Sequence, residues 1–224
     1  MDRYFARHAS SHSTIKAEPV QVDDWWARRH REILARNKQG PVDLLLIGDS
    51  ITHGWEGQGE LWQKYFVPRH AVNLGFSGDQ TQHVLWRLRH GELAGISPKL
   101  AAIMIGTNNS NGDEFTAEQI ADGITAICQE IRQRLPRTKI LLLAIFPRGE
   151  KPDAQRAKNA RASTIAARLA DGKKIFYLDI NDKFLKPDGT LTLDIMPDLL
   201  HPNTKGYQIW AEAMMPKVDE LMGR

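Results

Sequence analysis

The sequence has almost no cysteine and no long apolar run. Cys128 is the single cysteine among 224 residues, which excludes an intrachain disulfide and a cysteine-rich metal site. No segment approaches the ~18 consecutive apolar residues of a membrane-spanning helix. These two absences predict a soluble protein without a membrane span.

A large excess of charge of one sign is also missing. The 30 Lys and Arg residues face 27 Asp and Glu residues, for a net charge of +3. Such a small excess does not neutralise a phosphate backbone, so nucleic acid is not expected as a partner. The N-terminal segment lacks the apolar core of a signal peptide, and the compartment stays unknown, either the cytoplasm or the exterior after removal of a signal.

The length and the composition favour one large domain. A chain of 224 residues exceeds the commonest domain size but is short for two domains, and 42% hydrophobic residues are enough to form a core. The first residues are polar and aperiodic, whereas regular apolar patterning begins near Asp23, a candidate helix N-cap. We therefore expect an N-terminal arm over residues 1–22 and a single domain over residues 23–224.

Short apolar runs alternate about five times with helical stripes. Residues 42–47 run into Gly48, and residues 99–105 run into Gly106, as is typical of strands buried on both faces. Thr116 and Gln119 form a capping box before the clearest helical stripe. This alternation predicts an α/β fold with a doubly wound parallel sheet and helices on both faces. Ligands bind such sheets at the carboxyl ends of the strands, here residues 48–53, 75–80, 106–111 and 146–150.

Ser50 lies in a turn between a predicted strand and a helix start. A serine there is exposed at the edge of the sheet, and the first backbone N–H groups of the helix lack partners inside the helix. Such a serine can act as a nucleophile beside a ready donor for an oxyanion. Capping of the helix by Asp49 or Ser50 is the alternative.

Asp198 and His201 precede the last helix and are three residues apart. A serine nucleophile needs a base, and a neutral imidazole needs a carboxylate that fixes its tautomer. The pair at this spacing predicts such a base. The other seven histidines have no carboxylate at this spacing and are expected to be surface or helix residues: His8, His12, His30, His53, His70, His83 and His90.

Two further turns follow predicted strands and contain neutral hydrogen-bond donors. Gly78 ends the segment Asn-Leu-Gly-Phe-Ser-Gly, and Asn108 lies in the segment Ile-Gly-Thr-Asn-Asn. Each alone is an ordinary Gly/Asn turn. At neighbouring strand ends, a backbone N–H and a side-chain amide can together hold an oxyanion.

The order of these four segments resembles the SGNH hydrolase superfamily, also called GDSL esterases and lipases. Its four named residues correspond to Ser50, Gly78, Asn108 and His201. Within this superfamily the chain is most similar to the catalytic α-subunits of platelet-activating-factor acetylhydrolase Ib and their bacterial relatives. The resemblance covers about residues 41–222 and rests on the blocks at residues 78–88, 91–93, 106–109 and 146–152.

The resemblance implies a flavodoxin-like three-layer α/β/α sandwich with a five-stranded parallel sheet. It also implies hydrolysis of a small ester, of the acetyl class, with no cofactor and no metal, and a homodimer. Ser50 would attack the carbonyl carbon, His201 would act as base and then acid, and Asp198 would orient His201. The N–H groups of Ser50 and Gly78 and the amide of Asn108 would hold the oxyanion. The residues beside these, implied as walls of a small acyl pocket, are Ile51, Thr107 and Leu200.

Other interpretations remain beside this one. Trp55 and Trp62 follow Ser50 closely and would, at the rim of the crevice, favour an acetylated carbohydrate as substrate. A non-catalytic scaffold or binding homologue is a second alternative. A metal site from Asp49, Asp79, Asp198 and His201 is disfavoured because their spacing fits no short ligand motif.

Several polar residues receive structural interpretations. Asp79 is expected to fix its own turn. Three arginines of the first helix are expected on its solvated face: Arg28, Arg29 and Arg31. The leaving group, whether lipid, sugar or small alcohol, stays open because one fold serves all of them.

Overall fold

Five short apolar segments form one parallel sheet. The structure, a computed structural model, describes residues 12–20 and 24–224. The strands are adjacent in the order β2–β1–β3–β4–β5. Their bounds are β1 (Leu44–Gly48), β2 (Ala71–Gly75), β3 (Leu100–Met104), β4 (Lys139–Leu143) and β5 (Ile175–Leu178).

Helices cover both faces of this sheet. Alternate residues of β1 point to opposite faces, so Leu45 joins one apolar cluster and Leu44 joins another. The predicted three-layer α/β/α architecture is confirmed. No helix in the described part of the chain is long and apolar enough to cross a membrane. The helices are α1 (Asp24–Arg36), α2 (Ser50–His53), α3 (Gly59–Tyr65), α4 (Thr81–Arg87), α5 (Ala117–Arg134), α6 (Ala154–Ala166) and α7 (Thr204–Met222).

Local sequence signals set most of these boundaries. The Thr116 hydroxyl and the Gln119 side chain form the predicted capping box of α5. Strand β4 ends at Leu143, where its register partner Leu178 ends β5. Helix α7 continues past Pro216 to Met222, so the proline does not end the helix.

Part of the predicted N-terminal arm packs into the domain. Thr14 is fully buried, and its hydroxyl donates to the carbonyl oxygen of Gln119 at 2.8 Å. The Thr81 hydroxyl donates to the carbonyl oxygen of Thr14 at 3.1 Å. Residues 12–20 therefore contact both α4 and α5. The candidate N-cap Asp23 lies outside the described residues.

Candidate active site

The register of the sheet brings three of the candidate segments together. Gly48 of β1 pairs in register with Gly75 of β2 and with Met104 of β3. Ser50 follows Gly48 by two residues, and Gly78 follows Gly75 by three. Parallel strands end at one edge, so these segments emerge side by side, as the strand pattern predicted.

Ser50 is the first residue of the short helix α2. The N-cap of this helix is Asp49, whose Oδ1 accepts a hydrogen bond from the Ile51 N–H at 3.0 Å. The Tyr207 hydroxyl of α7 donates to the Ile51 carbonyl oxygen at 2.7 Å and so ties the turn to α7. Capping is thus the role of Asp49, and the Ser50 side chain is directed elsewhere.

Asp49 is completely buried beside this turn. Burial, helped by the negative charge of Asp79, raises the pKa of its carboxyl to about 7, although the hydrogen bond from Ile51 opposes the shift. Its Oδ2 atom has no hydrogen-bond partner among the described residues. A proton on this carboxyl removes the cost of an unpaired buried charge next to Ser50.

Ser50, His201 and Asp198 form a continuous hydrogen-bonded array. Ser50 Oγ lies 2.8 Å from His201 Nε2, and His201 Nδ1 lies 2.6 Å from Asp198 Oδ2. The other oxygen of Asp198 accepts the N–H groups of Leu200 at 3.0 Å and His201 at 2.7 Å. Partial burial raises the pKa of Asp198, but these bonds outweigh it and hold that pKa below its ordinary value. An ionised carboxylate only accepts, so Nδ1 carries the ring proton and Nε2 accepts the Ser50 hydroxyl.

The segment that carries Asp198 and His201 is tied to the loop after β4. The Gly149 N–H donates to the Leu199 carbonyl oxygen at 2.9 Å. Leu199 has φ of +59°, a left-handed conformation that is rare for a branched side chain. This strained position lies between the two residues of the array, and the surrounding contacts must hold it in place.

Gly78 and Asn108 lie on adjacent loops. Gly78 has φ of +82°, a conformation that other residues rarely adopt, although a Cβ there would meet nothing within 4 Å. Asn108 is half-buried, and its Nδ2 donates to the Asp79 carbonyl oxygen at 2.9 Å. An amide nitrogen carries two hydrogens, so one remains for a ligand.

Asp79 does not use its side chain in its own turn, and that expectation was wrong. Its carboxylate points inward and accepts from Trp26 Nε1 at 2.7 Å and from Arg87 Nε at 2.8 Å. Arg87 also pairs with Glu92, and all three charged side chains are completely buried. Burial raises the pKa of Asp79 to about 6, against the lowering effect of Arg87 and Trp26. A buried ion cluster therefore anchors the loop that contains Gly78.

The three candidate acyl-pocket residues differ in their surroundings. Ile51 and Thr107 are each 1% exposed, and Leu200 is half-buried. Ile51 and Leu200 pack on the same apolar cluster. The Thr107 hydroxyl instead accepts from Arg148 Nη1 at 3.3 Å.

The alternative that Trp55 lies at the rim of the crevice is wrong. Trp55 is fully buried against Phe66, Tyr207 and Trp210, with ring centroids 4.6–5.1 Å apart, and so does not line the crevice. Trp62 is half-buried and stacks on Phe66 at 4.7 Å. Trp55 therefore belongs to the aromatic core that packs against α7.

His30 and His70 agree with the expectation of helix or surface residues, because His30 lies in α1 and His70 is exposed, but Arg29 was placed wrongly. His30 is buried and lies 3.0 Å from Glu92, and His70 lies 2.8 Å from Asp43. Arg29 was expected in solvent but is only 8% exposed. These partners are 27 or more residues apart in sequence, which local spacing does not reveal. His8 lies outside the described residues.

Two residues beside the site, Arg148 and His53, received no functional role from the sequence pattern. Arg148 bridges Thr107 and Asn111 from the loop after β4. His53 lies three residues after Ser50, a helical spacing that places both side chains on one side of α2. Within residues 12–20 and 24–224, no group of three or more His, Cys, Asp or Glu side chains lies close enough to hold a metal ion.

Known proteins share this sequence and architecture. The sequence pattern of the GDSL-like lipase/acylhydrolase family matches residues 46–209. Platelet-activating factor acetylhydrolase IB subunit alpha2 from Rattus norvegicus is 42% identical over 192 residues, covering 85% of this chain and 82% of that protein.

Solved structures agree on the fold. A GDSL-like lipase from Bacteroides thetaiotaomicron has a TM-score of 0.66 at 20% identity, over 85% of this chain and 97% of that one. A carbohydrate acetylesterase from Sinorhizobium meliloti has a TM-score of 0.64 at 19% identity, over 80% of this chain and 99% of that one. At such identities the likeness concerns the fold alone. The family pattern and the identity to the rat subunit go further: this chain belongs to the GDSL-like lipase/acylhydrolase family and is a carboxylic ester hydrolase.

Proposed function

We propose that this enzyme hydrolyses short-chain esters, acetates above all, through a triad of Ser50, His201 and Asp198. The observation that carries the proposal is the unbroken array from Ser50 Oγ to His201 at 2.8 Å and on to Asp198 at 2.6 Å. Ester hydrolysis by a serine requires this order of nucleophile, base and orienting carboxylate.

In the acylation step the Ser50 oxygen attacks the ester carbonyl carbon while His201 Nε2 takes the hydroxyl proton. The imidazolium then gives that proton to the departing alcohol oxygen, which leaves Ser50 acylated. Water attacks the acyl-enzyme by the same route, and the proton returns to Ser50 as the acid is released. Asp198 stays ionised throughout, because its hydrogen bonds hold its pKa low, and it stabilises the imidazolium.

The oxyanion is held by the N–H groups of Ser50 and Gly78 and by the Asn108 amide. Support comes from the positions of these donors at adjacent strand ends and from the anchoring of Asn108 by the Asp79 carbonyl oxygen at 2.9 Å. Donors fixed before the reaction need no reorganisation when negative charge develops.

Acetyl preference is assigned to the walls formed by Ile51, Thr107 and Leu200. Ile51 and Thr107 are almost completely buried, so their side chains cannot move aside for a longer acyl chain. Forcing extra methylenes into a filled site costs about 1–3 kcal/mol. We therefore expect acetate to react faster than butyrate and octanoate to react very slowly.

The experiment measures kcat/KM for p-nitrophenyl esters of two, four and eight carbons. Ser50→Ala is expected to abolish turnover of all three. Leu200→Ala is expected to lower the ratio of kcat/KM for acetate to that for the longer esters by about tenfold, because the half-buried wall is removed. A flat profile in the wild type would contradict the short-chain assignment, whereas retained turnover in Ser50→Ala would contradict the triad.

A further inference from the structure

A second polar array lies beside the proposed catalytic one. Ser77 Oγ lies 2.9 Å from His53 Nδ1, and His53 Nε2 lies 3.5 Å from Glu56 Oε2. Arg29 fixes the far end through a contact of 2.6 Å between its Nη2 and Glu56 Oε1. None of these four side chains has a role in the proposed triad or oxyanion site.

The array borders the reaction site on the side of β2. His53 lies one helical turn after Ser50, and Ser77 directly precedes Gly78, so its Cα lies about 3.8 Å from that of Gly78. The backbone of α2 packs closely against β2 here. A Cβ on Gly75 would lie only 2.2 Å from the His53 backbone nitrogen, so only glycine fits at this position. The two elements therefore hold the Ser77 and His53 side chains in a fixed relation to Ser50.

The direction of the hydrogen bonds follows from the charge of Glu56. Burial raises the pKa of Glu56, but hydrogen bonds from His53 and Arg29 outweigh it and lower that pKa to about 2. The carboxylate only accepts, so the ring proton of His53 resides on Nε2, facing Glu56. Nδ1 is then the acceptor, and the Ser77 hydroxyl donates its proton to it.

Ser77 thereby presents an acceptor oxygen next to Gly78 of the proposed oxyanion site. Ser77 is exposed, and its oxygen retains two lone pairs after its proton is donated to His53. Such an oxygen binds O–H or N–H donors and repels an ionised phosphate or a carbonyl oxygen. The half-buried Trp25 ring, 5.3 Å from the His53 ring, adds an apolar surface next to this acceptor. Apolar surface with a few fixed polar groups is the usual composition of a small-molecule site.

We propose that Ser77, oriented by His53 and Glu56, accepts a hydrogen bond from a free hydroxyl on the alcohol part of the ester. The preferred substrates are then acetates of polyhydroxylated alcohols. This inference rests on the proposed function, since it concerns the alcohol that the triad releases. It does not depend on the tryptophans, since Trp55 is buried in the core and Trp62 stacks on Phe66.

The test compares two acetates of similar ring size. One is a monoacetylated methyl pentopyranoside, which has free hydroxyls beside the ester, and the other is cyclohexyl acetate, which has none. We expect Ser77→Ala to lower the ratio of kcat/KM for the first to that for the second by about 3- to 10-fold, the usual effect of one neutral hydrogen bond. Ser77→Thr, which keeps the hydroxyl, is expected to retain most of the ratio.

Two further measurements separate this role from a merely structural one. Replacing the free hydroxyls of the pentopyranoside by methoxy groups removes the donors, so the Ser77→Ala effect is expected to disappear. His53→Phe frees the Ser77 proton, so the wild-type preference for the hydroxyl substrate over the methoxy analogue is expected to shrink. His70→Phe, at the opposite edge of the sheet, is the matched control and is expected to change neither ratio.

An unchanged ratio in Ser77→Ala would overturn the proposal, as would an equal loss with the methoxy analogue. Labelling of Ser77 by a fluorophosphonate probe would also overturn it, because Ser77 would then be a nucleophile. Failure of the proposed triad has a different signature, namely turnover of cyclohexyl acetate by Ser50→Ala.

Discussion

Single residues decide the electrostatics of the proposed reaction, and Asn108 is the clearest case. One hydrogen of its side-chain amide is held by the Asp79 carbonyl oxygen, and the other is available for charge that develops on the substrate. Asn108→Ala is expected to lower kcat by roughly 10²- to 10³-fold, the usual cost of losing one oxyanion donor. KM is expected to change less, because the donor acts mainly in the transition state.

Steady-state kinetics with p-nitrophenyl acetate measure both constants. Thermal unfolding of the same variant is the control, because a large loss of stability would indicate a folding role. An unchanged kcat would mean that Asn108 is only a turn residue.

The buried carboxyl of Asp49, again a single residue, is expected to make the stability of the protein depend on pH. Folding raises its pKa from 3.8 to about 7, so the native state keeps a proton that the unfolded chain has released between these pH values. The stability contributed by Asp49 therefore falls as the pH rises from about 4 to about 7. Asp49→Asn carries no titrating proton and preserves the acceptor for the Ile51 N–H.

The difference in free energy of unfolding between Asp49→Asn and the wild type is expected to increase in favour of the variant across this pH range. Urea denaturation at several pH values measures it. A difference that stays constant with pH would show that Asp49 is already ionised in the native state at low pH.

At the scale of elements, the connection between α4 and the loop that contains Gly78 depends on Arg87. Its guanidinium joins Asp79 and Glu92, and all three are completely buried. Arg87→Met leaves two buried carboxylates without their cation, and removing one partner of a buried pair typically costs about 3–5 kcal/mol. We expect this loss in urea denaturation, together with a lower kcat because the Asp79 carbonyl oxygen holds Asn108.

Arg161→Met is the matched control on α6, since Arg161 pairs with Glu118 where both side chains are exposed. Exposed pairs contribute about 0–1 kcal/mol, so this variant is expected to stay close to wild type. Equal losses in the two variants would contradict the special role of the buried cluster.

At the scale of the whole molecule, the packed part of the N-terminal segment adds to the stability of the domain. Thr14 is fully buried and bonded to both α4 and α5. Removal of residues 1–20 is expected to lower the free energy of unfolding by roughly 2–4 kcal/mol, from two or three lost hydrogen bonds and the newly exposed surface. Removal of residues 1–11 alone leaves Thr14 in place and serves as the control. Equal stability of the two truncated proteins would contradict this contribution.

The sequence by itself determined the features that depend on local chemistry. Apolar runs that end in glycine predict strands buried on both faces, and the capping box at Thr116 and Gln119 predicts where α5 begins. Asp198 and His201 could be paired because three residues of separation keep both groups in one turn. The order of Ser50, Gly78, Asn108 and His201 along the chain also resembles that of the SGNH hydrolases, and this resemblance predicted the family.

Only the tertiary structure decided the partners of side chains that meet across long separations. Asp79 looks like a turn residue locally, but Arg87 and Trp26 turn its carboxylate inward. Trp55 lies close to Ser50 in sequence and yet is buried under α7, whose position no local pattern gives. His53 and Ser77 are 24 residues apart and meet only because β2 pairs with β1 in register. Local propensity acts over a few residues, whereas these contacts depend on the closure of long loops, which only packing of the complete sheet and its helices can fix.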